Sequence, residues 1–409
     1  MDFIAYKQKY TIRGIIYMED NLDGMNITDI LHHMGEHNLP VNAVAPPLFQ
    51  NSIFCFDSYE TFHEALQHEA DHYIYSRGNN PTVNLCEQKI AALEHTERAK
   101  LVASGVAAIS CAVMAFMKQG DHAVCIRSAY SWANYLFRTY LKRFGVDTTF
   151  VEGNTVEEFE KAIQPNTKVI YLESPATFTF TLQPLKAVAD LAKKHGIKTV
   201  IDNTWATPLF QNPADMGIDL VVHSASKYLG GNSDIVGGVV CGSKEDITRI
   251  FNTEFLMQGQ VPDPFMAWLI LRNLRTLHLR MPVHFRNALG LAEFLEARDD
   301  VESVNYPLLP SFPQYELAKE QMRGGSGLFS FRLKTRDLKK VIAVTNHVRY
   351  FKLAVSWGGY ESLFEPTALV FKEGEEIPDD RISLIRVHAG LEDLDLLKED
   401  LAQALGSVK

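Results

Sequence analysis

A lysine that closely follows an apolar run, held between hydroxyls and glycines, can be packed into a site instead of extending into solvent. Ile218, Leu220, Val221 and Val222 form such a run, followed by His223, Ser224, Ala225, Ser226 and Lys227, then by the pairs Gly230-Gly231 and Gly237-Gly238. A second apolar run, Ile197 to Ile201, ends in Asp202-Asn203-Thr204-Trp205. Both runs read as buried strands. In open α/β sheets ligands sit outside the carboxyl ends of the strands, where Asp202 and Lys227 would both project. One chemistry uses both groups. Pyridoxal phosphate (PLP) forms a Schiff base with a lysine, and an acidic partner keeps its pyridine nitrogen protonated. The protonated ring then withdraws electrons from a carbanion at a substrate Cα. The same stretches also suit a plain surface lysine and a helix-capping aspartate.

Two other local patterns could carry chemistry. Ser104-Gly105-Val106 opens an apolar helix, Ala107–Lys118, and a small-residue turn at a helix start offers free N–H groups to an anion. Ordinary capping explains the same residues. His68-Glu69-Ala70-Asp71-His72 matches H-E-x-x-H, which on a helix puts two zinc ligands on one face. No third ligand follows at the expected spacing, and the stretch is rich in His and Glu. A solvated helix face within an amphipathic segment, Ser58–Asp71, is the favoured reading, with no metal.

The elements that must position these residues alternate. A helix over Thr82–Leu93 precedes a strand at Lys100–Ala103. The order continues with helix Ala107–Lys118, strand Ala123–Ile126, and a helix carrying Tyr130, Trp132, Tyr135 and Phe137. Strand Thr148–Val151, helix Val156–Ile163, strand Lys168–Leu172 and helix Pro184–His195 follow. This alternation predicts a mainly parallel sheet covered by helices on both faces. The pattern changes near Val261–Pro264. A single long helix is expected over Phe265–Leu295, with Pro282 as a kink, and then strands at Leu328–Leu333, Leu353–Val355 and Ile382–Val387, the last with Arg386 in its middle. These predict a smaller α+β domain. The domain reading is an N-terminal extension and arm over 1–76, a large PLP-binding domain over 77–262 and a C-terminal domain over 263–409.

With 409 residues, 46% of them hydrophobic and 22% charged, the chain has the makings of a soluble globular protein with a substantial core. A net charge of −10 argues against nucleic acid as a partner. No apolar run approaches membrane-spanning length, and the first twenty residues lack the features of a secretory signal. Five scattered cysteines without a CxxC pair suggest reduced thiols and a cytoplasmic setting.

Six stretches, taken in order, resemble the motifs of the Cys/Met-metabolism PLP enzymes, the family of cystathionine γ-synthase, γ-lyase and β-lyase and of methionine γ-lyase. They are YSRGNNPT (Tyr75–Thr82), SGVAAI (Ser104–Ile109), DNTWATP (Asp202–Pro208), SASKYLGG (Ser224–Gly231), SWGGYESL (Ser356–Leu363) and IRVHAGLED (Ile385–Asp393). The likeness covers about residues 40–405. It implies an aspartate-aminotransferase-like α/β fold (PLP-dependent fold type I), PLP as cofactor and a homotetramer of two active dimers. It implies Lys227 as the Schiff-base lysine and Asp202 as the pyridinium partner. Ser224, Ser226 and the N–H groups of Gly105 and Val106 become phosphate ligands, and Tyr130 the residue stacked on the ring. Tyr75 and Arg77 become the pair that reaches a neighbouring subunit's phosphate. Arg386 becomes the clamp on a substrate carboxylate, helped by Ser356; an arginine suits this because its planar fork makes two parallel hydrogen bonds.

Finer comparison points to bacterial cystathionine β-lyase. The usual E-S-P-x-N-P is Glu173-Ser174-Pro175-Ala176-Thr177-Phe178, with Thr177 in place of an asparagine. Trp205, Trp357 and the GGSGLFSF stretch look more like that enzyme than like the γ enzymes. Val355 stands where cystathionine γ-lyases tend to carry a glutamate. The reaction this implies is α,β-elimination of L-cystathionine, cystine or cysteine, with Lys227 as general base at Cα and Tyr130, as a phenolate of lowered pKa, as proton acceptor from the substrate amine. The products are pyruvate, ammonia and a thiol such as homocysteine, a trans-sulfuration step of methionine biosynthesis. A γ-type member of the same family is the alternative, and a non-catalytic PLP-binding regulator a third.

Overall fold

The computed structural model describes residues 24–37, 39–372 and 374–407; the start of the expected N-terminal extension lies outside them. Seven strands form the larger sheet: β1 (Arg98–Val102), β2 (His122–Ile126), β3 (Asp147–Val151), β4 (Thr167–Glu173), β5 (Lys198–Asp202), β6 (Leu220–Ser224) and β7 (Gly238–Gly242). Their spatial order is β1-β7-β6-β5-β4-β2-β3. All neighbours pair in parallel except β7, which is antiparallel to both β1 and β6. Strands covered on both faces need apolar residues at successive positions. Val169 to Leu172, Val200-Ile201 and Leu220 to Val222 supply them and are fully buried.

This order aligns the carboxyl ends of β1, β4, β5 and β6 along one edge. Glu173 and Asp202 are register partners there, and Gly238 pairs with both Val102 and Ser224. The turn from β1 into the helix Gly105–Met114, and the turn from β6 toward Lys227, open on the same edge.

The second sheet contains β8 (Val301–Asn305), β9 (Leu328–Leu333), β10 (Lys352–Leu353), β11 (Leu363–Pro366) and β12 (Leu384–His388), in the order β10-β11-β12-β9-β8. Only β10 and β11 are parallel. Its core, with Phe329, Phe331, Phe364, Ile385 and Val387, is continuous with Trp205 and Phe180 from the first half of the chain. The Trp205 indole N–H donates to Leu328 O at 2.9 Å, fastening the two halves beside the site.

Several expected elements differ. The expected helix over Phe265–Leu295 is two, Pro264–Leu274 and Leu277–Glu296. The break falls at Thr276, whose hydroxyl and N–H both donate to Asn273 O, a local bond that competes with the helical ladder. Pro282 lies inside the second helix. The helix expected to carry Tyr130 begins after it: Tyr130 caps Ser131–Tyr135, and a π-turn follows over Leu136–Tyr140. The strand expected at Leu353–Val355 is confined to Lys352–Leu353. The H-E-x-x-H stretch is not a continuous helix: Tyr59–Gln67 ends at His68, a 3-10 turn occupies Glu69–Asp71, and His72 is extended. The i,i+4 face is therefore lost. Among the described residues no group of three His, Cys, Asp or Glu side chains is placed to hold a metal ion, and no helix is long and apolar enough to cross a membrane.

Candidate active site

Lys227 lies three residues past the end of β6, in a turn closed by Lys227 N–H to Ser224 O and Gly231 N–H to Lys227 O. Gly231 has φ 73°, a backbone shape that glycine adopts without the Cβ penalty. The lysine ammonium donates to the Ser356 hydroxyl and stands 5.7 Å from the centre of the Trp357 ring. Gly358 backs directly onto it: a Cβ there would lie 2.8 Å from Lys227 Cα. Burial, then the Arg386 charge, lowers the Lys227 pKa to about 8 against the opposing pull of Asp202 and Glu365. A lysine so shifted has a sizeable unprotonated fraction near neutral pH, as a nucleophile and base requires.

Asp202 ends β5. Its Oδ1 accepts from Thr204 N–H at 2.9 Å and from the Thr204 hydroxyl at 2.5 Å. Oδ2 makes no hydrogen bond among the described residues, which leaves it for a donor from outside the chain. Desolvation raises the Asp202 pKa, while the Thr204 bonds and the His223 and Lys227 charges pull it down. The Thr204 hydroxyl also accepts from Ser224 N–H at 2.8 Å, joining the ends of β5 and β6. Beneath them, buried Glu94 takes His223 Nε2 at 2.5 Å and Asn203 Nδ2 at 2.9 Å, so the residues flanking Asp202 and Ser224 are fixed from behind.

Gly105 and Val106 are the first two residues of their helix. Ser104 caps Ala107 N–H at 3.1 Å and leaves the two earlier N–H groups facing the edge. Ser224 touches this turn. A Cβ on Gly105 would stand 2.7 Å from Ser224 Cβ, and one on Gly238 would stand 2.1 Å from Ser104 O. Side chains at either glycine would fill the cradle. Ser226 is engaged elsewhere: its hydroxyl donates to Gly237 O at 3.3 Å and accepts from Gly237 N–H at 3.0 Å. The donor set fits PLP: an amine, a half-buried carboxylate with a free oxygen one strand away, and a helix N-terminus with a serine hydroxyl.

On the other wall, Arg386 projects from β12. Its Nη2 donates to Ser356 O at 3.2 Å and to the Glu365 carboxylate. Ser356 thus bridges the two sheets, with its hydroxyl on Lys227 and its carbonyl on Arg386. It does so with φ 80°, a strained value for a serine of the kind found at functional sites. The Phe178 ring lies 5.4 Å from the guanidinium carbon.

Tyr130 is more than a third exposed, and its backbone N–H donates to Glu173 Oε2 at 2.6 Å. Its pKa moves opposite to the expected direction. Desolvation, Asp202 and Glu173 raise it, and only Arg386 opposes them. The sequence suggested a phenolate because it displays the cations, whereas the fold puts two carboxylates beside the ring. Tyr75 and Arg77 are exposed, the guanidinium 5.7 Å from the tyrosine ring centre, and neither bonds to Lys227, Asp202 or Ser224.

Two carboxylates were not singled out from the sequence. Glu173 appeared only as the first letter of a motif. It is buried, accepts the Thr177 hydroxyl at 2.5 Å, and is pushed up to about 8 by desolvation and by neighbouring Asp202. Its signal was available: an acid at the end of an apolar strand, as with Asp202. Glu365 had no such signal, because its partnership with Arg386 depends on strand register.

Comparison with known proteins agrees with this geometry. The sequence profile described as "Cys/Met metabolism PLP-dependent enzyme" matches residues 28–406. The chain is 39% identical to an L-methionine gamma-lyase of Treponema denticola over 91% of this chain and 95% of that protein. It is 39% identical to the cystathionine gamma-lyase of Rattus norvegicus over 84% and 88%. The crystal structure of metB from Corynebacterium glutamicum superimposes with a TM-score of 0.86 at 31% identity, covering 95% of this chain and all of that one.

Proposed function

We propose, from the premise that this chain belongs to the Cys/Met metabolism PLP-dependent enzyme family, that it cleaves the Cγ–S bond of a sulfur amino acid and, with water, releases a thiol, ammonia and a keto acid. The relatives named above are γ-lyases, and their likeness runs over nearly the whole chain. This favours γ-elimination over the β-elimination that the finer motif comparison suggested. The observation that carries the catalytic part is the contact of Lys227, its pKa lowered to about 8, with Ser356, which also bonds Arg386.

PLP, when bound, supplies an electron sink for charge developing next to the substrate nitrogen. Lys227 holds the cofactor and then, as free amine, takes the Cα proton. Elimination at Cγ needs a second proton removed from Cβ, the adjacent carbon, and the same amine serves both positions once it has given up the first proton. Asp202, through its free Oδ2, would keep the ring nitrogen protonated. Gly105, Val106 and Ser224 would hold the phosphate, with the Ser226 hydroxyl, here bonded to Gly237, as a further donor. Tyr130 would cover the ring. As a phenol held neutral by its carboxylate neighbours, it is suited to give a proton to the departing thiolate. Arg386 grips the substrate carboxylate with Ser356 beside it. Tyr75 and Arg77, exposed and not bonded to these groups within one chain, complete the phosphate site of a second copy, in a tetramer of two active dimers.

A β-elimination reading retains specific support: Trp357 against Lys227 and Thr177 where the family tends to have asparagine. The product distinguishes the two. Purified protein given L-methionine or L-cystathionine is expected to form 2-oxobutyrate. Pyruvate with homocysteine from cystathionine would establish the β reading instead, and no keto acid from either substrate would overturn both.

A further inference from the structure

Glu365 on β11 and Arg386 on β12 are direct antiparallel register partners. Their side chains therefore leave the same face of the sheet. Each side chain is only 12% exposed. Arg386 Nη2 donates both to Glu365 and to Ser356 O, while Nε and Nη1 make no hydrogen bond among the described residues. A guanidinium grips a carboxylate through two parallel N–H bonds, either from Nη1 with Nη2 or from Nε with Nη2. Nη2 is common to both grips, and both of its hydrogens are engaged. An incoming carboxylate obtains a two-point grip only when one of the present acceptors leaves. Ser356 O is a backbone atom, in a loop anchored by the Gly358 N–H bond to His388. Glu365 is a side chain with rotatable bonds, and it carries the charge that repels a second carboxylate.

The geometry points to Glu365 as a built-in competitor that occupies the carboxylate seat of Arg386 and is displaced when an amino-acid substrate binds. This inference rests on the reading of Arg386 as the substrate clamp. It makes Glu365 a determinant of affinity: compounds without a carboxylate do not open the seat, and those with one bind against the internal carboxylate.

The test uses PLP-loaded protein and 4-(methylthio)butanoate, which has the methionine skeleton and carboxylate but no amine to react with the cofactor. Its dissociation constant is measured by calorimetry for the native protein, Glu365→Gln and Arg386→Ala. Glutamine keeps the size and an acceptor for Nη2 but removes the charge. Binding to Glu365→Gln is expected to be roughly tenfold tighter, as for exchanging a charged for a neutral competitor, and binding to Arg386→Ala to be lost. Unchanged or weaker binding by Glu365→Gln, with binding lost in Arg386→Ala, would overturn the competitor role and leave the clamp standing. Undiminished binding by Arg386→Ala would overturn the clamp reading and this inference with it. If Glu365→Gln does not fold, Glu365→Ala in the same titration decides, tighter binding again being the supporting result.

Discussion

At the edge of the seven-stranded sheet two carboxylates, Glu173 and Asp202, stand side by side as parallel register partners. In the five-stranded sheet a carboxylate and a guanidinium, Glu365 and Arg386, stand side by side as antiparallel partners. The first pair is desolvated, which raises both pKa values, and the Asp202 charge raises Glu173 further; the second attracts and satisfies itself. Burying like charges without a partner is costly, whereas a buried opposite pair is tolerated when its geometry is good. The larger sheet is therefore organised for a cation that the chain does not supply, such as a protonated ring nitrogen. The smaller sheet presents the proposed clamp, Arg386, already paired with Glu365. One wall waits to be completed and the other to be opened.

The largest expected effect comes from removing the anion that waits. Asp202→Asn keeps the shape and the Thr204 bonds but leaves nothing to stabilise a pyridinium. Activity is expected to fall by roughly a hundred- to a thousandfold, the scale of removing one member of a buried charge pair. PLP retention on dialysis should fall with it. A loss below threefold in both would show that the larger sheet does not depend on this charge.

Glu173 sharpens the contrast through pH. Its carboxyl is raised to about 8, above the roughly 4.3 of an unfolded chain. The native state thus binds a proton that the unfolded state has released, and stability falls as pH rises between these values. Glu173→Gln removes that dependence. In thermal unfolding of the apoprotein, the variant's stability relative to the native protein is expected to increase from pH 5 to pH 8, by on the order of a few kcal/mol. A difference that stays flat over that interval would mean Glu173 is ionised beside Asp202.

The smallest effect is steric. Gly105→Ala sets a methyl group 2.7 Å from Ser224 Cβ, so the helix start and the end of β6 must separate. A stability loss of about 1–2 kcal/mol is expected, together with several-fold weaker PLP retention. Stability loss with PLP retention unchanged would separate this cradle from the phosphate.

The order of elements, the covering of the sheet and the identity of the family were present in the sequence, because apolar runs of strand length and short spaced motifs are local properties. Lys227, Asp202, Gly105 and Arg386 were legible for the same reason: each sits within a stretch whose neighbours constrain it. The helix break at Thr276 and the collapse of the His68–His72 pattern were not, since both turn on competition between neighbouring backbone and side-chain bonds that periodicity does not register.

What only the tertiary structure decided is which charges face one another. Parallel register puts Glu173 beside Asp202 although 28 intervening residues separate them in the chain, and antiparallel register puts Glu365 beside Arg386. Electrostatic energy depends on distance and desolvation, and neither is a property of sequence separation. For that reason the sequence supplied candidates such as Lys227, Asp202 and Arg386, while the fold added Glu173 and Glu365 and set the direction of the Tyr130 shift, the lowered pKa of Lys227 and the pairing of Arg386 with Glu365.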